Sequence, residues 1–303
     1  MIVLGEVESL ILKIDKFLQT YSGNLILNAD DPNVARLGKS NPENNNIYYF
    51  SVEPYKFATK DIKEAGEGKF CPFCQTRLIY DYYQYSHIGK FSCPSCGFGN
   101  NDIYKKAYNV NINQKTFTID DIEFKTQISS IYTIYNFTAS TACACLYKIR
   151  YETIQKALST FSLHNGRLET LKIKDIPTIL NLAKNPTGCN VSLRILNEDT
   201  SEKELLFVLN DNIADGFDVS WIWDINFDNL NNVKRIITSG KRAYDIAIRI
   251  KVAGFDESLI ECYNSIEEAI NHLYSTNTKK YVIANYTALQ PCRNALLKYN
   301  SLK

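Results

Sequence analysis

The apolar residues of this chain keep two rhythms, and the change from one to the other falls near Arg167. Ahead of it, "MIVLGEVESLILKIDKFLQTY" has the spacing of an amphipathic helix. "NLILN" (24–28) is a short strand of the buried kind that runs into "ADDP", where Pro32 opens a new segment. A polar loop, "SNPENNN", leads to a second strand, "NIYYFSV". Further on, "YKKAYNVNI", "KTFTID" and "IEFKTQI" alternate as an antiparallel hairpin or meander does. "SSIYTIYNFTASTACACLYKI" is a strand or loop entering a helix whose Ala139, Ala142, Cys143 and Ala144 allow close packing, and "YETIQKALSTF" predicts another helix. Beyond Arg167 strands are predicted at "VSLRIL", "ELLFVLN", "KRIITS", "LIECY" and "KYVIANY". Helices are predicted near Ile176–Ala183, Ala243–Val252, Ile266–Tyr274 and Cys292–Tyr299. Strand and helix in alternation imply a mostly parallel sheet covered by helices, whose ligands gather at the carboxyl ends of the strands.

Composition narrows the class. With 303 residues, 45% of them apolar, the chain can bury a core and divide into two domains. Its 34 Lys and Arg against 33 Asp and Glu leave +1, no footprint for a general polyanion binder. No apolar run reaches the roughly 18 residues of a membrane span, and the start lacks the basic region and cleavage site of a signal peptide. Nine cysteines in such a chain point to a reducing, cytoplasmic setting, with thiols as metal ligands or buried apolar groups.

Four of those cysteines carry the strongest local signal. Cys71, Cys74, Cys93 and Cys96 fit Cys-x2-Cys-x18-Cys-x2-Cys, the spacing of a tetrahedral zinc site, with Pro72 and Pro94 inside the turns and Gly97 and Gly99 after them. Between the pairs, "TRLIYDYYQYSHIGKFS" has the content of a hairpin. Four thiolates complete the shell, so the site is structural and His87 is superfluous as a ligand. The ribbon's tyrosines suit stacking on single strands, yet its few cations (Arg77, Lys90) argue against a nucleic-acid reader.

Candidate chemistry lies elsewhere. Directly after "ELLFVLN" stands "DNIADGFDVSWIWD", in which Asp211, Asp215 and Asp218 crowd a glycine turn. A carboxylate at a strand end can orient a ribose, a metal or a proton-transfer partner; an aspartate can equally close a polar turn. Asp30 and Asp31 of "NADDP" can approach Mg²⁺ or cap a helix starting at Pro32. In "HNGRLE", Arg167 can grip a phosphate or pair with Glu169. Gly240, Lys241 and Arg242 begin a helix, an anion-friendly place. "LGKS" (37–40) has the tail of a phosphate loop, but Asn33 occupies the position of its first glycine, and the full pattern occurs nowhere in these 303 residues.

Taken in order, "LNADDP", the four-cysteine ribbon, "YNFTAS", "GRLE", "LAKNPTGCN", "LNDNIADGFDVSWIWD", "SGKRAYDIAIRIKVAGF" and "NYTALQ" resemble the MurT type of the Mur ligase family. The resemblance implies an α/β fold: a truncated Mur ligase central domain (1–165) with a zinc ribbon (68–100) inserted, then a C-terminal Rossmann-like α/β domain (166–303). It implies ATP- and Mg²⁺-dependent amidation of the D-glutamate α-carboxylate of lipid II, with ammonia from a GatD-type glutaminase partner. By the same resemblance Asp211 matches the essential aspartate, with Asp215 in reserve. Asn136 and Arg167 match positions lining the nucleotide, and Cys71, Cys74, Cys93 and Cys96 match the zinc ligands. The similarity starts at Gly5-Glu6, downstream of the family's phosphate loop, so the chain alone is expected not to turn over ATP. A docking subunit without chemistry of its own, or a nucleic-acid-binding ribbon protein, are the alternatives.

Overall fold

In the computed structural model, which describes residues 5–61, 68–127, 130–162, 166–228 and 230–301, the chain divides into two units, Ile2–Ser162 and Leu163–Lys303. The first begins with helix α1 (Gly5–Leu18), which turns Ile11 and Leu18 inward. Strand β1 (Gly23–Asn28) pairs in parallel with β2 (Asn45–Val52). Between them run the one-turn helix α2 (Pro32–Ala35) and a 3₁₀ turn, Arg36–Lys39. "LGKS" therefore lies in a turn between two strands and is no phosphate loop. The ribbon follows, with β3 (Ile79–Tyr85) and β4 (Ile88–Ser92) as its antiparallel hairpin. β5 (Ile103–Asn111) then returns as the third parallel strand, and β6 (Thr116–Ile119) and β7 (Ile122–Lys125) extend the sheet as an antiparallel meander in the order β1-β2-β5-β6-β7. Helix α3 (Ile131–Leu146), capped by the Ser130 hydroxyl, crosses β1, β2 and β5, and α4 (Tyr151–Thr160) covers β7.

The second unit opens with an antiparallel pair, β8 (Glu169–Ile173) and β9 (Ile176–Leu182). Helix α5 (Pro186–Glu198), strand β10 (Lys203–Val208) and strand β11 (Val233–Ser239) come next, then α6 (Ala243–Val252) and β12 (Ile260–Tyr263). Helix α7 (Ile266–Leu273) brings the chain back to insert β13 (Lys279–Ala284) between β9 and β10, and α8 (Tyr286–Ser301) ends it. The strand order is β12-β11-β10-β13-β9-β8, parallel except for β8.

Strand β10 is buried at every position, which is why its sequence shows no alternation. Leu206 and Val208 pack beneath α7 and α8, whereas Leu205, Phe207 and Leu209 face α5 and α6. Each such side chain contributes about 1.5–3 kcal/mol on burial. Because α5 and α6 cover one face and α7 the other, the winding reverses between β10 and β13. That reversal leaves a crevice-forming edge at their carboxyl ends.

Two expected elements exchange identity. Ile176–Ala183 is not a helix but strand β9, entered through Lys174 and Asp175 at φ 44° and 67°, a tight hairpin turn without the usual glycine. "VSLRIL" is not a strand but the middle of α5, whose buried Cys189, Leu193 and Leu196 lie on one helical face. Asn185 caps that helix by accepting from Gly188 N–H at 2.8 Å, and Pro186 fills its first turn. Helix α8 starts at Tyr286, six residues before the expected Cys292, and continues through Pro291.

Candidate functional site

The two Cys-x-x-Cys turns are copies of each other in backbone. Cys71 N–H donates to Thr76 C=O at 2.8 Å and Gln75 N–H to Cys71 C=O at 3.0 Å; Cys93 N–H donates to Phe98 C=O at 2.7 Å and Gly97 N–H to Cys93 C=O at 3.0 Å. Gln75 and Gly97 hold the equivalent left-handed position, at φ 61° and 73°. The hairpin faces the turns toward one another, so that all four sulfurs lie within 4.8 Å of each other. Cys71–Cys96 and Cys74–Cys93 stand at 3.5 and 3.4 Å. A tetrahedral zinc with Zn–S near 2.3 Å sets its sulfurs about 3.8 Å apart, so the donor set fits. Hydrogen bonding to Thr76 holds the Cys74 thiol below its usual range while its neighbour Cys96 is pushed up, so the four thiols share protons that a metal would displace. Phe91 and Phe98, with ring centroids 5.3 Å apart, form the ribbon's small core. His87 pairs with Asp31 at 3.4 Å and is no ligand.

At the carboxyl edge of the second sheet the three aspartates separate. Asp211 follows the end of β10 and accepts from Arg242 Nε at 2.9 Å. Asp215 instead clamps the start of α8: it accepts from Thr287 N–H at 2.9 Å and also from the Thr287 hydroxyl. Asp218 closes a turn on Ser220 N–H at 2.8 Å. Between them Asn285 prolongs the ladder with its side chain, accepting from Asn210 N–H at 3.0 Å and donating to Asn210 C=O at 2.7 Å. Sequence reasoning missed Asn285 and Thr287; a strand-end "NYT" leading into a helix was the available signal. It placed Arg242 at a helix start but not as the partner of Asp211.

Arg167 is exposed ahead of β8, and because β8 is antiparallel it stands at the same edge as Asp211. Strands β8 and β10 are three strand spacings apart, about 14 Å. Glu169 does not pair with Arg167; it takes Arg293 through both carboxylate oxygens, at 2.9–3.0 Å. His164 lies outside the described residues. Asn136 belongs to the other unit, exposed on α3 beside the buried Tyr135.

Of the two adjacent aspartates, Asp31 is the cap, accepting from Asn33 N–H at 2.8 Å. Asp30 is 3% exposed and accepts from the Ser51 hydroxyl, Val52 N–H and the Tyr135 hydroxyl at 2.8, 2.9 and 2.7 Å. Burial pushes its carboxyl up against those three lowering bonds. Strand β2, helix α3 and, through Gly89 N–H on Asp30 C=O, the ribbon all meet at this residue.

Residues 182–289 match the MurT ligase C-terminal family. Over 293 residues the chain is 29% identical to the MurT subunit of lipid II isoglutaminyl synthase (glutamine-hydrolyzing) of Staphylococcus aureus strain COL, covering 95% of this chain and 65% of that protein. Against the MurT subunit of Streptococcus pneumoniae strain R6 it is 30% identical over 289 residues, covering 93% and 64%. The chain thus spans about 65% of the length of the curated relatives it matches. A pseudomurein peptide ligase type C from Methanothermus fervidus superposes with a TM-score of 0.68 at 25% identity, covering 96% of this chain and 59% of that one. MurF of Acinetobacter baumannii shares the fold with a TM-score of 0.64 at 14% identity, covering 99% and 57%. No described helix is long and apolar enough to cross a membrane. In sequence the chain is similar to MurT subunits of lipid II isoglutaminyl synthase over nearly its whole length, in fold it is similar to Mur-type peptide ligases, and its residues 182–289 match the MurT ligase C-terminal family.

Proposed function

We propose that this chain is the ligase subunit of an ATP-dependent amidation that converts the α-carboxylate of D-glutamate in lipid II to D-isoglutamine in the cytoplasm, with ammonia from a GatD-type glutaminase. The carboxylate oxygen attacks the γ-phosphorus of ATP, ADP leaves, and an acyl phosphate results. Ammonia then attacks the acyl carbon, phosphate leaves with the C–O bonding pair, and the nitrogen gives up a proton. Asp211 is the group that orients the ammonia and receives that proton. Mg²⁺ and phosphate clamps would offset the charge that builds on the transferred phosphoryl. Asn136 and Arg167, both exposed, are assigned to the nucleotide. Cys71, Cys74, Cys93 and Cys96 hold zinc, which braces the first unit and has no open position for catalysis.

The observation that carries this reading is the placement of Asp211. It leaves the end of a wholly buried strand, beside the reversal of winding, inside the stretch matching the MurT ligase C-terminal family. Asp215 supports the choice by elimination, since both of its oxygens are engaged by Thr287. The test is reconstitution with the glutaminase subunit, lipid II, glutamine and Mg-ATP, with a Mur ligase phosphate-loop segment supplied ahead of Gly5, followed by mass spectrometry of the muropeptide. A carboxyl-to-carboxamide change that slows about 10³-fold with Asp211→Asn, leaving a measurable residual rate, is expected. A stable complex that leaves lipid II unamidated would assign the chain a docking role instead.

A further inference from the structure

The turn between β11 and α6 is fastened to the end of β10. Arg242 N–H donates to Leu209 C=O at 2.9 Å and Lys241 N–H donates to Asn210 Oδ1 at 3.1 Å. Gly240 takes φ +90°, and a Cβ there would stand 2.5 Å from the Leu209 carbonyl oxygen, so only glycine permits this approach. From that fixed backbone the Arg242 side chain reaches Asp211. Nε donates to Oδ2 at 2.9 Å, and Nη1 stands 3.7 Å from Asp245, three residues on. The guanidinium is thus held between two carboxylates, one of which is Asp211.

The side chains are 38% and 21% exposed, and an ion pair so wet adds little to stability. What the pair does set is direction. A single Nε–H···Oδ2 bond from an anchored backbone restrains where that oxygen points. It occupies Oδ2 and leaves the work on substrate to Oδ1. We infer that Arg242 is a positioning residue for the amidation: it holds Asp211 in one rotamer beyond the end of β10 and touches no reacting atom itself. The inference rests on the role given to Asp211 above.

The test is a double-mutant cycle in that same reconstituted complex, phosphate-loop segment included, supplied with lipid II, glutamine and Mg-ATP. Arg242→Gln is expected to lower kcat about 30-fold, the scale of a misplaced catalytic group, with KM for ATP and the thermal midpoint unchanged. Arg242→Lys should recover most of the rate. In an Asp211→Asn background, Arg242→Gln should cost nothing further. Independent, multiplicative losses would overturn the inference, as would a clearly lowered midpoint in Arg242→Gln, which would make the pair structural. A second readout needs no turnover: the Hα–Hβ couplings of Asp211 by NMR. They should report one rotamer in the wild type and averaging in Arg242→Gln, and averaging in both would overturn the inference. Locked couplings in a wild-type complex that never amidates lipid II would sink the proposed reaction and leave the positioning intact.

Discussion

Asp211 and Asp215 sit four residues apart, yet neighbours decide what each can do. Asp215 has both oxygens on Thr287, at the first turn of α8, where a carboxylate satisfies helix donors. Asp215→Ala should therefore cost about 1–2 kcal/mol of stability, read as a lowered urea midpoint. Asp211→Asn should leave that midpoint within about 0.5 kcal/mol and slow amidation about 10³-fold. A third aspartate governs acid sensitivity. Burial alone would raise the Asp199 carboxyl, but Lys279 Nζ at 2.6 Å, Ser201 N–H and hydroxyl at 2.9 and 2.7 Å and Tyr281 at 2.8 Å outweigh it and hold it well below the usual range. A depressed carboxyl adds stability above its unfolded value, about 3.9, and loses that contribution as pH falls toward its folded value. The stability advantage of wild type over Asp199→Asn should thus be full at pH 6 and shrink below about pH 4, measured by urea titration at each pH. A gap independent of pH would refute the assignment.

Elements were legible where one force acted alone. The gathering of the four cysteines could be read from spacing because a metal-ligand pattern names four residues at once, and α6 was predicted with its observed bounds, Ala243–Val252. The exchange of β9 and α5 has two local causes: Lys174 and Asp175 adopt left-handed backbone without a glycine to mark the turn, and the Asn185-Pro186 cap starts a helix that carries "VSLRIL". Helix α8 runs through Pro291, because packing of Ala288, Cys292, Ala295 and Leu296 offsets what the proline costs. In the site, strand-end position exposed Asp211, but the pairing with Arg242 joins residues 31 apart in sequence and was invisible without the fold. At this scale the ribbon makes its own prediction. Elemental analysis should find one zinc per chain, lost in Cys93→Ser and retained in Asp211→Asn. Chelation should lower the melting temperature of the first unit, since folding of such a clip is linked to its metal.

The charge balance that spoke against nucleic acid finds its counterpart in the ribbon, where Lys90 is paired with Asp81 at 2.8 Å. Micromolar affinity for single-stranded DNA at moderate salt is not expected, and fluorescence anisotropy would test it. These 303 residues contain no Gly-x4-Gly-Lys-Ser/Thr, so by themselves they should show no ATP turnover in a coupled assay; a measurable rate would mean that other groups cradle the phosphates. The strand order also bears on how the molecule is made. β13 is the last strand in sequence but lies between β9 and β10, which emerge far earlier. Until Lys279–Ala284 has been synthesised, or after proteolysis removes it, the facing strands β9 and β10 keep unpaired edges. Such edges recruit strands from other chains. Nascent or clipped forms ending before Lys279 should therefore aggregate rather than accumulate as folded fragments.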